Sequence, residues 1–122
     1  MKKLFLILIL IIFIQCQNLI YNPIIGSNMV LQRDSPNTKI WGQSSQSVGS
    51  VKVEFTSRTA LGFSETAQVV NHKWVVYLRN IPAGGPYDVT VTDLKTLEKQ
   101  TFTNVFFGDV FLCSGQSNME WP

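Results

Sequence analysis

Val51-Lys52-Val53-Glu54-Phe55-Thr56 alternates strictly between apolar and polar side chains. A period of two marks an extended strand, because successive Cβ atoms point to opposite faces. Val51, Val53 and Phe55 are therefore predicted to share a buried face. The pattern returns downstream: Trp74, Val76 and Leu78 alternate against Lys73 and Arg79, although Val75 and Tyr77 make the second face apolar too. Tyr87, Val89 and Val91 alternate with Asp88, Thr90 and Thr92, and residues 101–107 form a fourth run that ends at Gly108. Asn71-His72 and Ala83-Gly84-Gly85-Pro86 supply the turn punctuation that such strands need. No helical periodicity occurs between residues 18 and 108. Short strands at this spacing predict a mainly β chain, a β-sandwich of jelly-roll or Ig-like type.

Upstream of this core, Met29-Val30-Leu31 is a short apolar run stopped by Arg33-Asp34-Ser35-Pro36-Asn37. Ile40-Trp41 is another, ended by Gly42. Residues 43–50 hold four serines, two glutamines and a glycine, the composition of a loop or linker. The chain opens with Lys2 and Lys3 ahead of an uncharged apolar run, residues 4–14. Those eleven residues fit a secretory h-region and fall short of the ~20 that a bilayer span requires. Residues 1–16 are thus predicted to be a signal peptide cleaved after Cys16, with no membrane span once it is removed. A bacterial lipoprotein signal would also end in cysteine, but Gln15 stands where that signal has a small residue. The chain is expected to be secreted or lysosomal by way of the secretory pathway.

Removal of the leader changes the charge. Of 10 basic and 8 acidic residues, Lys2 and Lys3 leave with it, so the mature chain carries 8 of each and no net charge. That balance, with no basic patch interleaved with aromatics, argues against a nucleic-acid partner. Cys113 would then stand alone in an oxidising compartment, buried and inert or paired beyond Pro122.

Downstream of the alternating strands lies Gly108-Asp109-Val110-Phe111-Leu112-Cys113-Ser114-Gly115-Gln116-Ser117-Asn118-Met119-Glu120-Trp121-Pro122. Residues 110–113 read as a short strand buried on both faces, and residues 114–118 as a tight turn. A serine on a sharp turn after a buried strand is held at the sheet's edge with its hydroxyl outward. Serine esterases need that placement, since the nucleophile must be exposed while its N–H helps to stabilise an oxyanion. Ser117 is the candidate nucleophile. Met119 replaces the second glycine of a G-x-S-x-G elbow, so the turn is not that of an α/β-hydrolase.

Three stretches resemble the N-terminal part of the sialate O-acetylesterase family, which are carbohydrate esterases with an SGNH-hydrolase-like catalytic domain. They are Asn28-Met29-Val30-Leu31-Gln32-Arg33 followed by Ile40-Trp41-Gly42, then Ala83-Gly84-Gly85-Pro86-Tyr87, and finally residues 108–122. The resemblance implies a β-sandwich over residues 17–107 that leads into the start of an incomplete SGNH-like α/β domain at 108–122. It also implies Ser117 as nucleophile, with Gln116 and Asn118 ordering the turn, serving the oxyanion or contacting substrate. The family draws its histidine and aspartate from a downstream Asp-x-x-His pattern, and the chain ends five residues after Ser117. The substrate implied is an O-acetylated carbohydrate, sialic acid being the namesake, and the scheme uses no metal and no organic cofactor.

Other residues have plainer readings. His72, the only histidine, sits between polar Asn71 and Lys73 at a hairpin turn and is expected to be solvated there. Asp109 is expected to cap or order nearby backbone, and Asp34 and Asp88 to be turn and surface residues. Trp74 falls among core positions. Trp41 is also expected to pack rather than stack on sugar, and Trp121 to line or support the nucleophile turn. The competing class is a secreted, non-catalytic β-sandwich that binds carbohydrate; a closer rival is an acetylesterase for another acetylated polysaccharide. Without a base for Ser117, the 122 residues alone are expected to be inactive, with 110–113 an aggregation-prone edge.

Overall fold

The structure, a computed structural model, describes residues 24–115. Seven strands account for most of them: β1 (Val30–Gln32), β2 (Thr38–Gln43), β3 (Val48–Thr56), β4 (Phe63–Val70), β5 (Lys73–Leu78), β6 (Gly84–Asp93) and β7 (Lys99–Gly108). There is no helix among the described residues. All seven strands belong to one hydrogen-bonded sheet in the order β1-β7-β6-β3-β4-β5-β2. Every pairing is antiparallel except β1 with β7, which is parallel.

The mainly β reading holds, but the two separate sheets of a sandwich are replaced by one sheet that folds over on itself. The fold-over lies between β4 and β5. Asn71 and His72, with φ of 50° and 64°, form the tight reversal that two left-handed residues make between strands. Only Val70 and Lys73 pair across it. Beyond that corner the β2–β5 ribbon leaves β4, and its inward side chains join the same core as the larger sheet. A twisted sheet exposes an apolar face unless something covers it. Here the chain's own end strands do so, and a single core results.

The inward side chains are those of the alternation. Val51, Val53 and Phe55 of β3, Trp74, Val76 and Leu78 of β5, and Tyr87, Val89 and Val91 of β6 are all buried. Ile40 of β2 and Phe102, Val105 and Phe107 of β7 complete the set. At one end Phe55 and Phe63 stack with ring centres 4.4 Å apart, and Tyr87 and Phe107 meet them edge-on or tilted at 5.7–6.2 Å. Val75 and Tyr77 lie on the outer face and stay exposed, as their parity requires.

Three local expectations are corrected. Residues 43–50 are not all loop, since β2 runs to Gln43 and β3 starts at Val48; cross-strand partners hold these polar residues extended. Ala83-Gly84-Gly85-Pro86 is not a simple turn. Gly84 already pairs with Phe107, and the register shifts twice before Val89. β4 was not foreseen: its inward positions Phe63, Glu65, Ala67 and Val69 break the apolar pattern at Glu65, yet Val48–Phe55 of β3 templates it residue by residue.

Asp93 ties the ribbon to the main sheet. It is 1% exposed, and its carboxylate accepts the Ser44 hydroxyl at 2.7 Å and the Lys95 and Thr96 amides at 2.9 and 3.1 Å. Ser44 follows β2, so this bond joins the β2–β3 loop to the last residue of β6, 49 residues apart. Burial pushes the Asp93 pKa up, but the hydrogen bonds from Ser44 and the two amides outweigh it and hold the value below the ordinary carboxylate range. A depressed pKa gives stability that is present above the unfolded value of about 3.9 and is lost as pH falls through the folded value. Ser44→Ala should therefore cost about 1.5–3 kcal/mol at pH 7 in urea unfolding. The cost should shrink as pH falls below about 4; a cost independent of pH would refute this role.

Candidate active-site edge

Parts of the stretches that carry the family resemblance, namely Asn28–Arg33, Gly84–Tyr87 and Gly108-Asp109, are far apart in sequence and side by side in space. β1 lies along the last turn of β7, with Val30, Leu31 and Gln32 paired to Phe106, Phe107 and Gly108. On the other side of β7, Gly84 pairs with Phe107. Gly85, at φ 132°, lets that segment approach closely, because a Cβ there would stand 2.8 Å from both Phe106 Cδ1 and the Val105 carbonyl oxygen. The end of β7 is thus gripped from both sides just before the chain leaves the sheet at Gly108.

Hydrogen bonds reinforce the grip. The Asn28 amide donates to the Thr103 carbonyl, the Phe106 amide to Met29, and the Arg33 amide to Gly108. The Arg33 guanidinium then reaches past the strand, its Nε 2.9 Å from Asp109 Oδ2, while Nη1 meets Asp34 at 3.1 Å. The hydrogen bond and charge of Asp109 raise the Arg33 pKa, so the guanidinium keeps its charge. Asp109 was expected to cap or order nearby backbone; its carboxylate instead meets the Arg33 side chain, which tethers the first residue beyond the sheet. Below it, the Phe55, Phe63, Tyr87 and Phe107 rings stiffen the same end.

Residues 110–113 depart from expectation. They are not a strand, and Val110, Phe111 and Leu112 are 76%, 83% and 92% exposed. No strand among the described residues runs alongside them, and an isolated extended segment has no ladder to satisfy its backbone. Cys113 is likewise exposed and unpaired among the described residues. A cleft of about 390 Å³ opens between Val30, Gln32, Gly108, Asp109, Val110 and Phe111. Gln116, Ser117 and Asn118, and Trp121 with them, lie outside the described residues.

His72 stands at the opposite end of the sheet, with Nδ1 3.2 Å from the Ser44 carbonyl oxygen, in keeping with a turn histidine. Among the described residues no group of three or more His, Cys, Asp or Glu side chains is placed to hold a metal ion. Sequence reasoning missed the role of Arg33, although its place in the first resembling stretch, opposite an acidic residue that follows β7, was the available signal.

The all-β sheet has a counterpart in a carbohydrate esterase. The structure is similar to the crystal structure of a carbohydrate acetylesterase from Xanthomonas citri, with a TM-score of 0.61 and 35% identity over 81% of this chain and 21% of that one. No family model matches the chain. In sequence it is 36% identical to the sialate O-acetylesterase of Homo sapiens over 101 residues, which are 79% of this chain and 19% of that protein. It is 34% identical to the sialate O-acetylesterase of Mus musculus, with 79% and 18% covered. The chain is a homologue of the sialate O-acetylesterases and spans about a fifth of the length of the curated relatives it matches.

Proposed function

We propose that this chain carries the nucleophile of a secreted carbohydrate O-acetylesterase, and that Ser117 is that nucleophile. The observation that supports it most is the convergence of Asn28–Arg33, Gly84–Tyr87 and Gly108-Asp109 on the end of β7, nine residues before Ser117. A packed β unit holding the base of a serine turn is what an enzyme needs when a misplaced nucleophile costs rate steeply.

In this reading residues 108–122 begin an SGNH-like domain, and residues 110–113 become its first strand when a neighbouring sheet flanks them. Exposure of Val110, Phe111 and Leu112 in their absence is what such a strand would show. Ser117 attacks the acetyl carbonyl as a histidine takes its proton, and the acetyl-enzyme is then cleaved by water. The Ser117 N–H stabilises the oxyanion, a contact whose loss costs about 3–4 kcal/mol of barrier. Gln116 and Asn118 order that turn. The histidine and aspartate belong to an Asp-x-x-His pattern beyond Pro122. The substrate is an O-acetylated sugar, with sialic acid favoured by the names of the relatives.

The test reads the transcript past the codon for Pro122 and treats the encoded product with a fluorophosphonate probe. A frame reaching an Asp-x-x-His pattern, with labelling on Ser117, is the expected result. A stop codon directly after Pro122, or a longer product that the probe does not label, would overturn the proposal.

A further inference from the structure

The outer face of the β2–β5 ribbon has a composition that the core does not demand. Opposed pairs across it are Lys39 with Tyr77, Trp41 with Val75, and Gln43 with Lys73. Tyr77 is half exposed and Val75 nearly so, whereas Trp41 is partly buried and packs against the core. The Lys39 ammonium stands 5.7 Å from the centre of the Trp41 ring. Arg79 follows on the same parity just past β5. No Asp or Glu occupies an outward position on either strand, so three cations, Lys39, Lys73 and Arg79, flank two aromatic rings with no acidic counterpart there. β2 is also a terminal strand of the sheet, which leaves this face open along one side.

Rings on a flat ribbon offer a platform for the apolar face of a sugar, and flanking ammonium groups suit a carboxylate. We propose that this face is a binding site for carboxylate-bearing sugars, separate from the Ser117 edge. The pyranose ring lies over Tyr77 and Val75, beside the Trp41 ring that Lys39 faces, and its carboxylate meets Lys39, with Lys73 and Arg79 adding attraction from either end. The choice of an acidic sugar rests on the acetylesterase reading; the platform and its charge do not. Its role would be to keep an acidic glycan chain near the enzyme while the acetyl group is removed elsewhere.

The probe is sialyllactose without acetyl groups, titrated into the ¹⁵N-labelled chain, with lactose as the neutral control. Sialyllactose should shift the Trp41 indole signal and the Tyr77 and Lys39 amides saturably, with lactose weaker by about tenfold, the equivalent of 1.4 kcal/mol. Lys39→Gln is exposed and leaves the core intact; it should bring sialyllactose down to the level of lactose. Tyr77→Ala should weaken both ligands. Equal shifts with lactose, shifts mapping elsewhere, or no saturable shift would overturn the proposal, as would a protein segment found seated on Trp41 and Tyr77. Because fluorophosphonate labelling of Ser117 does not involve this face, loss of one result leaves the other standing.

Discussion

Trp74→Ala is expected to cost about 3–5 kcal/mol, the range for emptying a fully packed aromatic site. Domains of this kind have only about 5–15 kcal/mol in total, so the variant should melt at least 12 °C lower, at about 4–8 °C per kcal/mol. The indole is 1% exposed and lies flat against Gly42 of the neighbouring strand. A Cβ at Gly42 would come within 2.8 Å of its Cζ2, so the ring fills the space left by that glycine. Its Nε1 donates to the Gln43 carbonyl at 3.3 Å, which satisfies the one polar atom it buries. Since Trp74 belongs to the ribbon that closes the core, its loss removes both volume and closure. Gly42→Ala should act through the same contact from the other side, by overpacking, at about 1–3 kcal/mol. Thermal melts of both variants check this; a Trp74→Ala melt within 3 °C of the parent would refute the closure described here.

Ser117→Ala is expected to reduce acetylesterase activity of the catalytically complete protein by about 10⁴–10⁶-fold, the loss seen when a serine nucleophile is removed. The residual rate would come from binding and oxyanion contacts. The 122 residues alone are expected to show no Ser117-dependent turnover of an acetyl ester, because in the proposed scheme its histidine base belongs to the Asp-x-x-His pattern beyond Pro122. His72 is at the far end of the sheet, held against Ser44. Measured turnover by the purified chain that vanishes in Ser117→Ala would contradict this. So would a longer product whose activity survives the same substitution.

The strands that read most clearly in the sequence are those whose one face meets the core and whose other meets water. β3, β5 and β6 are of that kind, and Val51, Val53, Phe55, Trp74, Val76, Leu78, Tyr87, Val89 and Val91 are all buried as their parity predicts. The turn at Asn71-His72 was legible for a similar reason, since few residues accept a positive φ. β4 was not legible. Its polar Ser64, Glu65 and Thr66 are extended because β3 pairs with them, and cross-strand pairing leaves little trace in the sequence of the paired strand.

The candidate site divides in the same way. The order Gly-Gln-Ser-Asn-Met, with its preceding apolar run, was enough to single out Ser117. That the run 110–113 is not a strand was a matter of tertiary structure, since a strand needs a neighbour and none among the described residues lies beside it. Taken by itself, then, the sequence determined the β character and the identity of the inward faces, which depend on side chains near one another along the chain, and it marked Ser117 as the candidate nucleophile. Only the tertiary structure decided that one sheet folds over on itself and that Arg33 reaches Asp109 across 76 positions. It alone also placed Asn28–Arg33 and Gly84–Tyr87 on the two sides of β7, because strand order and long-range pairing are chosen by the whole core rather than by any local stretch.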